Sequence, residues 1–127
     1  MPVSSKIDKE HRLVICEIFG DVVDEDGPAL QRVIREDPDF DPSFSQLLDM
    51  TGVTRVDANA ETVRRLAQTS VFSPNARRAF VANSDVIFGF ARMFEMLRES
   101  AGGTALRVFR SRDDAMRWLL KDDKDAE

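Results

Sequence analysis

The sequence predicts an α/β domain with a mostly parallel central sheet of about five strands, an N-terminal antiparallel hairpin and about four helices. Apolar, β-branched runs of strand length alternate with segments whose apolar residues recur at helical spacing. This order is typical of parallel strands joined by helical crossovers. The length of 127 residues, with 43% hydrophobic and 32% charged residues, is typical of a single globular domain with one core.

The first half of the chain contains three predicted strands and one helix. Residues 3–8 favour a short edge strand, and the nearly continuous apolar run Arg12–Gly20 predicts a core strand. The first helix begins within Asp24–Pro28, because proline is tolerated only in the first turn of a helix. A further strand over Phe44–Met50 is followed by a polar turn over Thr51–Glu61.

The second half continues the alternation of helices and strands. Helical spacing predicts a second helix over about Asn59–Ser70 and a third over about Asp85–Ala101, ended by two glycines. Strands are predicted over Arg77–Asn83 and Thr104–Ser111. Ser111 and Asp114 resemble a capping box that opens the last helix.

Composition limits the classes of function. The net charge of −5 argues against nucleic-acid binding, which needs a concentrated basic surface. The single cysteine, Cys16, excludes an intramolecular disulfide, and no apolar run reaches the length of a signal peptide core or a membrane span. We therefore expect a cytoplasmic domain over residues 1–120 without a transmembrane segment, followed by a charged, flexible tail over residues 121–127.

Two motifs resemble the STAS domain, the fold of SpoIIAA. Gly20–Asp26 (GDVVDED) is similar to the end of the second strand in that family. Leu47–Ala60 (LLDMTGVTRVDANA) is similar to the strand and turn that carry its regulatory serine. Arg77–Ser100 looks like the SpoIIAA-like branch of small bacterial proteins, which is grouped with STAS and CRAL-TRIO lipid-binding domains. The resemblance implies a SpoIIAA-like fold and a binding or regulatory role.

The turn departs from the family at the regulatory position. Asp57 matches the family aspartate, but Ala58 and Asn59 follow it where the regulatory proteins carry a phosphorylated serine, and Ala60 replaces a glycine. A phosphoryl switch of that type is therefore expected to be absent. Asp57 or Asn59 either caps the second helix through its side-chain oxygen or contributes to a binding surface.

The third helix is unusually apolar. At 100° per residue, one broad face is predicted to be buried, and Phe88 and Met96 fall outside it. These two residues either edge a lipophilic pocket or partner surface, or the helix begins later and Phe88 lies in a loop. The predicted buried face contains Val86, Ile87, Phe90, Met93, Phe94, Leu97 and Ala101.

The sequence contains no convincing catalytic or metal-binding set. His11 is the only histidine and lies in a predicted turn, and Cys16 lies within a predicted buried strand. Asp37, Asp39 and Asp41 have the spacing of a calcium loop, but Pro42 and Leu48 occupy positions that require glycine and glutamate. We expect no catalytic residues, no metal and no cofactor.

These observations predict a non-catalytic binding or regulatory domain. The predicted surface combines the Thr51–Glu61 turn with the region Phe72–Arg92. Its partner is a protein, or alternatively a lipophilic small molecule or membrane surface, and exposed strand edges are compatible with a homodimer. The candidate binding residues are Thr51, Thr54, Asp57, Asn59, Phe72, Arg77, Phe88, Arg92 and Met96.

Overall fold

The computed structural model describes residues 3–103 and 105–121 and contains a five-stranded sheet and four helices. The strands are β1 (Val3–Asp8), β2 (Leu13–Val23), β3 (Ser45–Asp57), β4 (Arg78–Val81) and β5 (Leu106–Phe109). The helices are α1 (Asp26–Glu36), α2 (Ala60–Gln68), α3 (Asp85–Ser100) and α4 (Arg112–Leu119). The predicted tail beyond Lys121 and the predicted first residue of the last strand, Thr104, lie outside the described residues.

The strands lie side by side in chain order, β1-β2-β3-β4-β5. β1 pairs with β2 in antiparallel fashion, and every other pair is parallel. The predicted α/β class, the mostly parallel sheet and the N-terminal hairpin are therefore confirmed. No helix in the described part of the chain is long and apolar enough to span a membrane.

The sheet separates two apolar clusters. The larger cluster joins side chains of the sheet, such as Val14, Leu48 and Phe80, to Leu30 of α1 and Ala91 of α3. The smaller cluster lies on the opposite face, where α4 covers the sheet. It contains Leu13, Leu47, Ala79, Val81, Ala115 and Leu119.

The strand predicted over Phe44–Met50 is too short, because β3 continues through Asp57. β2 also continues to Val23, and Phe19–Val23 pairs with Gly52–Asp57 across two register shifts. Within β3, β4 pairs with Gln46–Asp49 and with no later residue. Phe19–Val23 of β2 and Gly52–Asp57 of β3 therefore form a two-stranded extension, which we call the β2–β3 arm. Much of the predicted Thr51–Glu61 turn is therefore strand.

Side-chain caps fix the starts of three helices. Asn59 Oδ1 accepts a hydrogen bond from the Glu61 backbone N–H at 2.7 Å, and Ser84 Oγ accepts one from Ile87 at 3.2 Å. Ser111 Oγ accepts one from the Asp114 backbone N–H at 3.3 Å, which confirms the predicted cap. These bonds satisfy N–H groups that have no partner within the helix.

The predicted orientation of α3 is wrong in part. Val86 is 80% exposed and Met93 is 44% exposed, although both were assigned to the buried face, and Ala101 is exposed beyond the end of the helix. Phe88 lies within α3 and packs against the larger cluster, so the alternative of a later helix start is also wrong. Ala91 is fully buried, which places the small side chain at the closest approach of α3 to the core.

Candidate functional site

The predicted binding residues of the β2–β3 arm are engaged within the chain. Thr51 donates from its hydroxyl to Asp49 Oδ1 at 2.6 Å, and Thr54 donates to Asp21 Oδ1 at 2.9 Å. Asp57 is exposed and lies 3.6 Å from Arg55. The Asp57 side chain is open to solvent. Because the ion pair is exposed, it contributes little to stability.

Asn59 has a structural role that the sequence predicts. Its side chain caps α2, and its backbone N–H donates to Asp24 Oδ1 at 2.5 Å. Asp24 lies on the segment between β2 and α1, so this bond joins the starts of two neighbouring helices.

The remaining predicted residues are spread over several parts of the molecule. Arg77 donates to the backbone carbonyls of Trp118 and Lys121 at 2.9 and 2.5 Å, so it lies against α4. Arg92 pairs with Glu95 at 2.8 Å on the outer surface of α3. Met96 is 62% exposed on the same helix. The structure does not assemble these side chains with the arm into one site.

Phe88 occupies an intermediate position between core and surface. Its ring packs against the larger cluster, and the guanidinium of Arg110 lies 4.2 Å from the ring centroid. Arg110 also forms an ion pair with Asp85 at 3.0 Å. The exposed fraction of Phe88 is therefore limited by Arg110, which covers the ring through a cation–π contact.

His11 lies in the turn between β1 and β2, beside Asp8 and Glu10. The ligand atoms of these three residues lie within 4.8 Å of one another, but all three side chains are at the surface. His11 Nδ1 lies 2.8 Å from Asp8 Oδ2, and this hydrogen bond raises the pKa of His11. Hydrogen bonding to the neighbouring carboxylate explains the cluster, which by itself does not indicate a metal site.

A mostly apolar cavity of about 110 Å³, partly open to solvent, lies between the sheet and helices α1, α2 and α3. We call it the α1–α3 cavity. Its walls are mostly apolar side chains. They include Ile18, Leu48, Met50 and Phe80 of the sheet, Leu30 and Ile34 of α1, Val63 and Leu66 of α2, Phe90 and Phe94 of α3, and Phe72.

A contact between Gly27 of α1 and Leu66 of α2 shapes one side of this cavity. Gly27, in the first turn of α1, lies so near Leu66 that a Cβ atom at this position would collide with the leucine side chain. Leu66 and Gly27 both line the cavity. The absence of a side chain at Gly27 therefore sets how far Leu66 reaches between the helices.

A line of polar side chains crosses the same face of the sheet. Arg78 Nε donates to Gln46 Oε1 at 2.9 Å, and Gln46 Nε2 lies 3.6 Å from Cys16 Sγ. The thiol lies 3.7 Å from Ser5 Oγ. Burial raises the pKa of the Cys16 thiol, which is therefore protonated and poorly reactive at neutral pH.

Arg78 is the unusual member of this line. Its guanidinium lies 5.2 Å from the ring centroid of Phe72 and 5.6 Å from that of Phe80. The residue as a whole keeps partial solvent exposure, but Nη1 is fully buried and has no hydrogen-bond partner within the described residues. Burial lowers the pKa of Arg78 to about 10, so the side chain remains a cation at neutral pH.

Arg78 also lines a second, polar cavity of about 10 Å³, together with Arg98, Ser70 and Ser73. This volume is near the minimum that holds one water molecule. Arg98 donates to the Ala67 carbonyl at 3.0 Å, and its positive charge further lowers the pKa of Arg78.

The sequence interpretation identified Phe72 but missed Arg78 and Gln46 as cavity residues. A usable signal was present, because side chains two residues apart on a strand share a face. Arg78 therefore lies on the same face as Phe80, and Gln46 on the same face as Leu48 and Met50.

Comparison with models of known protein families finds no match, and comparison with curated protein sequences also finds none. Among solved structures, the fold is similar to that of an uncharacterized DUF3478 family protein from Shewanella loihica PV-4, which has a SpoIIAA-like fold. The TM-score is 0.64 at 14% identity, and the alignment covers 92% of this chain and 93% of that chain. The chain therefore has a SpoIIAA-like fold, as its motifs imply.

Proposed function

We propose that this SpoIIAA-like domain is a non-catalytic binding protein that holds a small lipophilic molecule in the α1–α3 cavity. The observation that carries this proposal is the cavity itself, with a volume of about 110 Å³ and mostly apolar walls. Ligand pockets are typically apolar spaces with a few polar groups that orient the ligand.

The size of the cavity limits the ligand. An engineered apolar cavity of about 150 Å³ stays dry and binds benzene, so a space of about 110 Å³ suits a single small ring or a short acyl chain. A larger ligand extends through the open side of the cavity or displaces wall residues outward. Leu66 is half-buried at the contact of α1 with α2 and is suited to such movement.

The polar groups around the cavity favour binding over catalysis. Among the described lining residues, the polar side chains are Asp24, Gln31, Gln46, Thr62 and Arg78. Asp24 accepts a hydrogen bond from Asn59, and Gln46 accepts one from Arg78. Gln46 also contacts the Cys16 thiol, but an amide is not a base and burial keeps that thiol protonated. General acid–base or nucleophilic catalysis requires a base within hydrogen-bond reach of the group that it deprotonates.

The proposal is tested by titrating the protein with 1-hexanol, a neutral apolar probe, and following binding by NMR and thermal unfolding. We expect saturable binding, with unfolding stability raised by about 2.7 kcal/mol at a probe concentration one hundred times the Kd. Resonances of cavity residues should shift, whereas Trp118 on the opposite face of the sheet should not.

Leu66→Trp should weaken hexanol binding at least tenfold, because the larger ring fills the space that the probe needs. Val33→Trp is the matched control, since Val33 is 39% exposed on α1 and does not line the cavity. The proposal is wrong if hexanol binds in no saturable manner, or if Leu66→Trp binds it as tightly as Val33→Trp.

A second candidate function is protein binding through α3. Val86, Met93 and Met96 are exposed and lie on one side of the helix at a spacing of seven and three residues. Exposed apolar stripes of this kind mark interaction surfaces, and a second copy of the chain is the simplest partner for a self-complementary stripe. Sedimentation of the wild type and of Met93→Glu/Met96→Glu tests this function. A wild type that stays monomeric at high concentration would contradict self-association.

A further inference from the structure

Arg78 lines the α1–α3 cavity and carries a largely buried positive charge without a counter-charge among the described residues. Among the residues that the structure describes, no carboxylate lies within ion-pair distance of Arg78, and Nη1 has no hydrogen-bond partner. A buried charge without pairing carries a large desolvation penalty. Such a group is expected to be kept only where something outside the chain pairs with it.

We propose that the ligand of the cavity is a small apolar monocarboxylate whose carboxylate pairs with Arg78. This inference rests on the proposed function and specifies the chemical class of the ligand. The planar guanidinium suits a carboxylate, since the two groups form parallel, charge-assisted hydrogen bonds. The apolar remainder of the ligand then lies against the aromatic and aliphatic walls.

The neighbouring groups favour a single negative charge at Arg78. The nearby charge of Arg98 adds positive potential at Arg78, and it therefore lowers the pKa of Arg78. Gln46 Nε2 faces the Cys16 thiol and Gln31 Nε2 lies 3.5 Å from the Thr69 carbonyl, so few other donors remain for a second charge. A phosphate dianion needs more donors than these walls provide.

The end of the cavity away from Arg78 is lined by a negatively charged residue, Asp24. Asp24 lies beside Asn59 at the β2–β3 arm, whereas Arg78 and Gln46 lie at the starts of β4 and β3. A carboxylate is therefore attracted to the Arg78 end and repelled from the Asp24 end. This polarity predicts one orientation for a monocarboxylate and disfavours a cationic ligand.

A single ordered water is the competing partner for Nη1. The polar cavity beside Arg78 and Arg98 has about 10 Å³, which is near the minimum for one water. If a water alone satisfies Nη1, the cavity has no reason to distinguish an anionic ligand from a neutral one. The two explanations therefore differ in the charge preference of binding.

Three probes that share an alkyl chain but differ in charge distinguish a ligand carboxylate from an ordered water as the partner of Arg78. Hexanoate, 1-hexanol and hexylamine carry negative, zero and positive charge at pH 7, and their affinities are measured by calorimetry on the wild type. We expect hexanoate to bind about 10- to 100-fold more tightly than hexanol, as a charge-assisted hydrogen bond allows, and hexylamine to bind most weakly. Hexanoate should also shift the Nε resonance of Arg78.

Arg78→Met should remove the preference for hexanoate while hexanol still binds. Arg107→Met is the matched control, because Arg107 is the register partner of Ala79 and contacts Phe109 and Trp118 on the α4 side of the sheet. It removes the same charge without touching the cavity. If Arg78→Met does not fold, the wild-type affinities and the Arg78 Nε shift still decide the outcome.

The outcomes separate the inference from the proposed function. Equal wild-type affinities for hexanoate and hexanol overturn the carboxylate inference and leave the cavity as a site for neutral ligands. A hexanoate preference that persists in Arg78→Met also overturns it. Failure of all three probes to bind overturns the proposed function itself.

Discussion

Asp49 shows how one buried carboxylate connects distant parts of the chain. Its Oδ1 accepts hydrogen bonds from the Thr51 backbone at 2.9 Å and the Thr51 hydroxyl at 2.6 Å, and its Oδ2 pairs with Arg112 at 2.9 Å. Burial alone would raise the pKa of Asp49, but the bonds from Thr51 and Arg112 outweigh burial and lower the pKa. Asp49 therefore ties β3 to the start of α4.

Asp49→Asn should reduce the free energy of unfolding at pH 7 by about 1–3 kcal/mol, because hydrogen bonds to a charged group are replaced by weaker ones. The pKa of Asp49 is lower in the folded state, so its stabilising contribution is present above the ordinary value of 3.8 and is lost as pH falls below it. Urea unfolding of both proteins between pH 3 and 7 measures this difference.

Asp113→Asn is the control for that experiment, since Asp113 is an exposed acid in the first turn of α4. Its loss should change stability by less than about 0.5 kcal/mol. An Asp49→Asn protein as stable as the control at pH 7 would contradict the role given to Asp49.

Individual caps were predictable from sequence, whereas buried polar groups were not. Asn59 and Ser111 belong to residue types that satisfy helix N–H groups, and both cap their helices. Gln46 is buried and Arg78 is partly buried because tertiary packing covers the starts of two adjacent strands. Residue type alone favours the surface for both, so only the strand alternation indicated their burial.

At the scale of elements, α3 shows why a helix is easier to place than to orient. Its bounds were predicted to within one residue, yet the buried face centres on Ile87 and Ala91 rather than on the side that contains Val86. When the buried face is predicted as the face with the most apolar residues, it includes Val86 and Met93, which are exposed. The small Ala91 side chain instead permits close packing, and Arg110 covers Phe88.

Phe88→Ala should lower the free energy of unfolding by about 1–3 kcal/mol, because the ring packs on the larger cluster and beneath Arg110. Val86→Ala should change it by less than about 0.5 kcal/mol, since Val86 is 80% exposed. Urea unfolding of both variants compares the two sides of α3 directly. A larger loss for Val86→Ala than for Phe88→Ala would contradict the packing of Phe88 on the larger cluster.

At the scale of the molecule, the alternation of elements predicted the mostly parallel sheet and its N-terminal hairpin, but the lengths of β2 and β3 depended on their pairing with each other. Residues 51–57 resemble a turn in isolation because of Gly52 and several polar side chains. They form a strand because β2 extends beside them and Val53 is buried. Pairing between segments about 30 residues apart is not encoded in the local pattern.

The cavity likewise results from the whole molecule, since its walls come from the sheet and three helices. Sequence motifs implied the SpoIIAA-like fold and a lipophilic ligand as one alternative. They did not indicate where apolar packing is incomplete, because cavity volume depends on how α1, α2 and α3 meet above the sheet.

The buried Arg78 predicts that this fold gives up stability to keep a binding group. In Gln46→Leu/Arg78→Met, an apolar pair replaces a buried cation and the amide bonded to it. The ligand-free double variant should be more stable than the wild type by about 1–4 kcal/mol, as found when buried ionic groups are replaced by apolar residues of similar size. Thermal and urea unfolding of both proteins measure the difference.

The pH dependence of that difference has a definite sign. Burial lowers the pKa of Arg78 from its ordinary value to about 10, so the folded wild type releases the proton at a lower pH than the unfolded chain does. Above about pH 10 the unfolded state binds more protons, and the stability of the wild type rises relative to the double variant. The stability difference should therefore narrow above about pH 10, and hexanoate at pH 7 should narrow it as well by binding the wild type more tightly. A double variant that is less stable than the ligand-free wild type at pH 7 would show that Arg78 stabilises the core, and that its charge needs no partner from outside the chain.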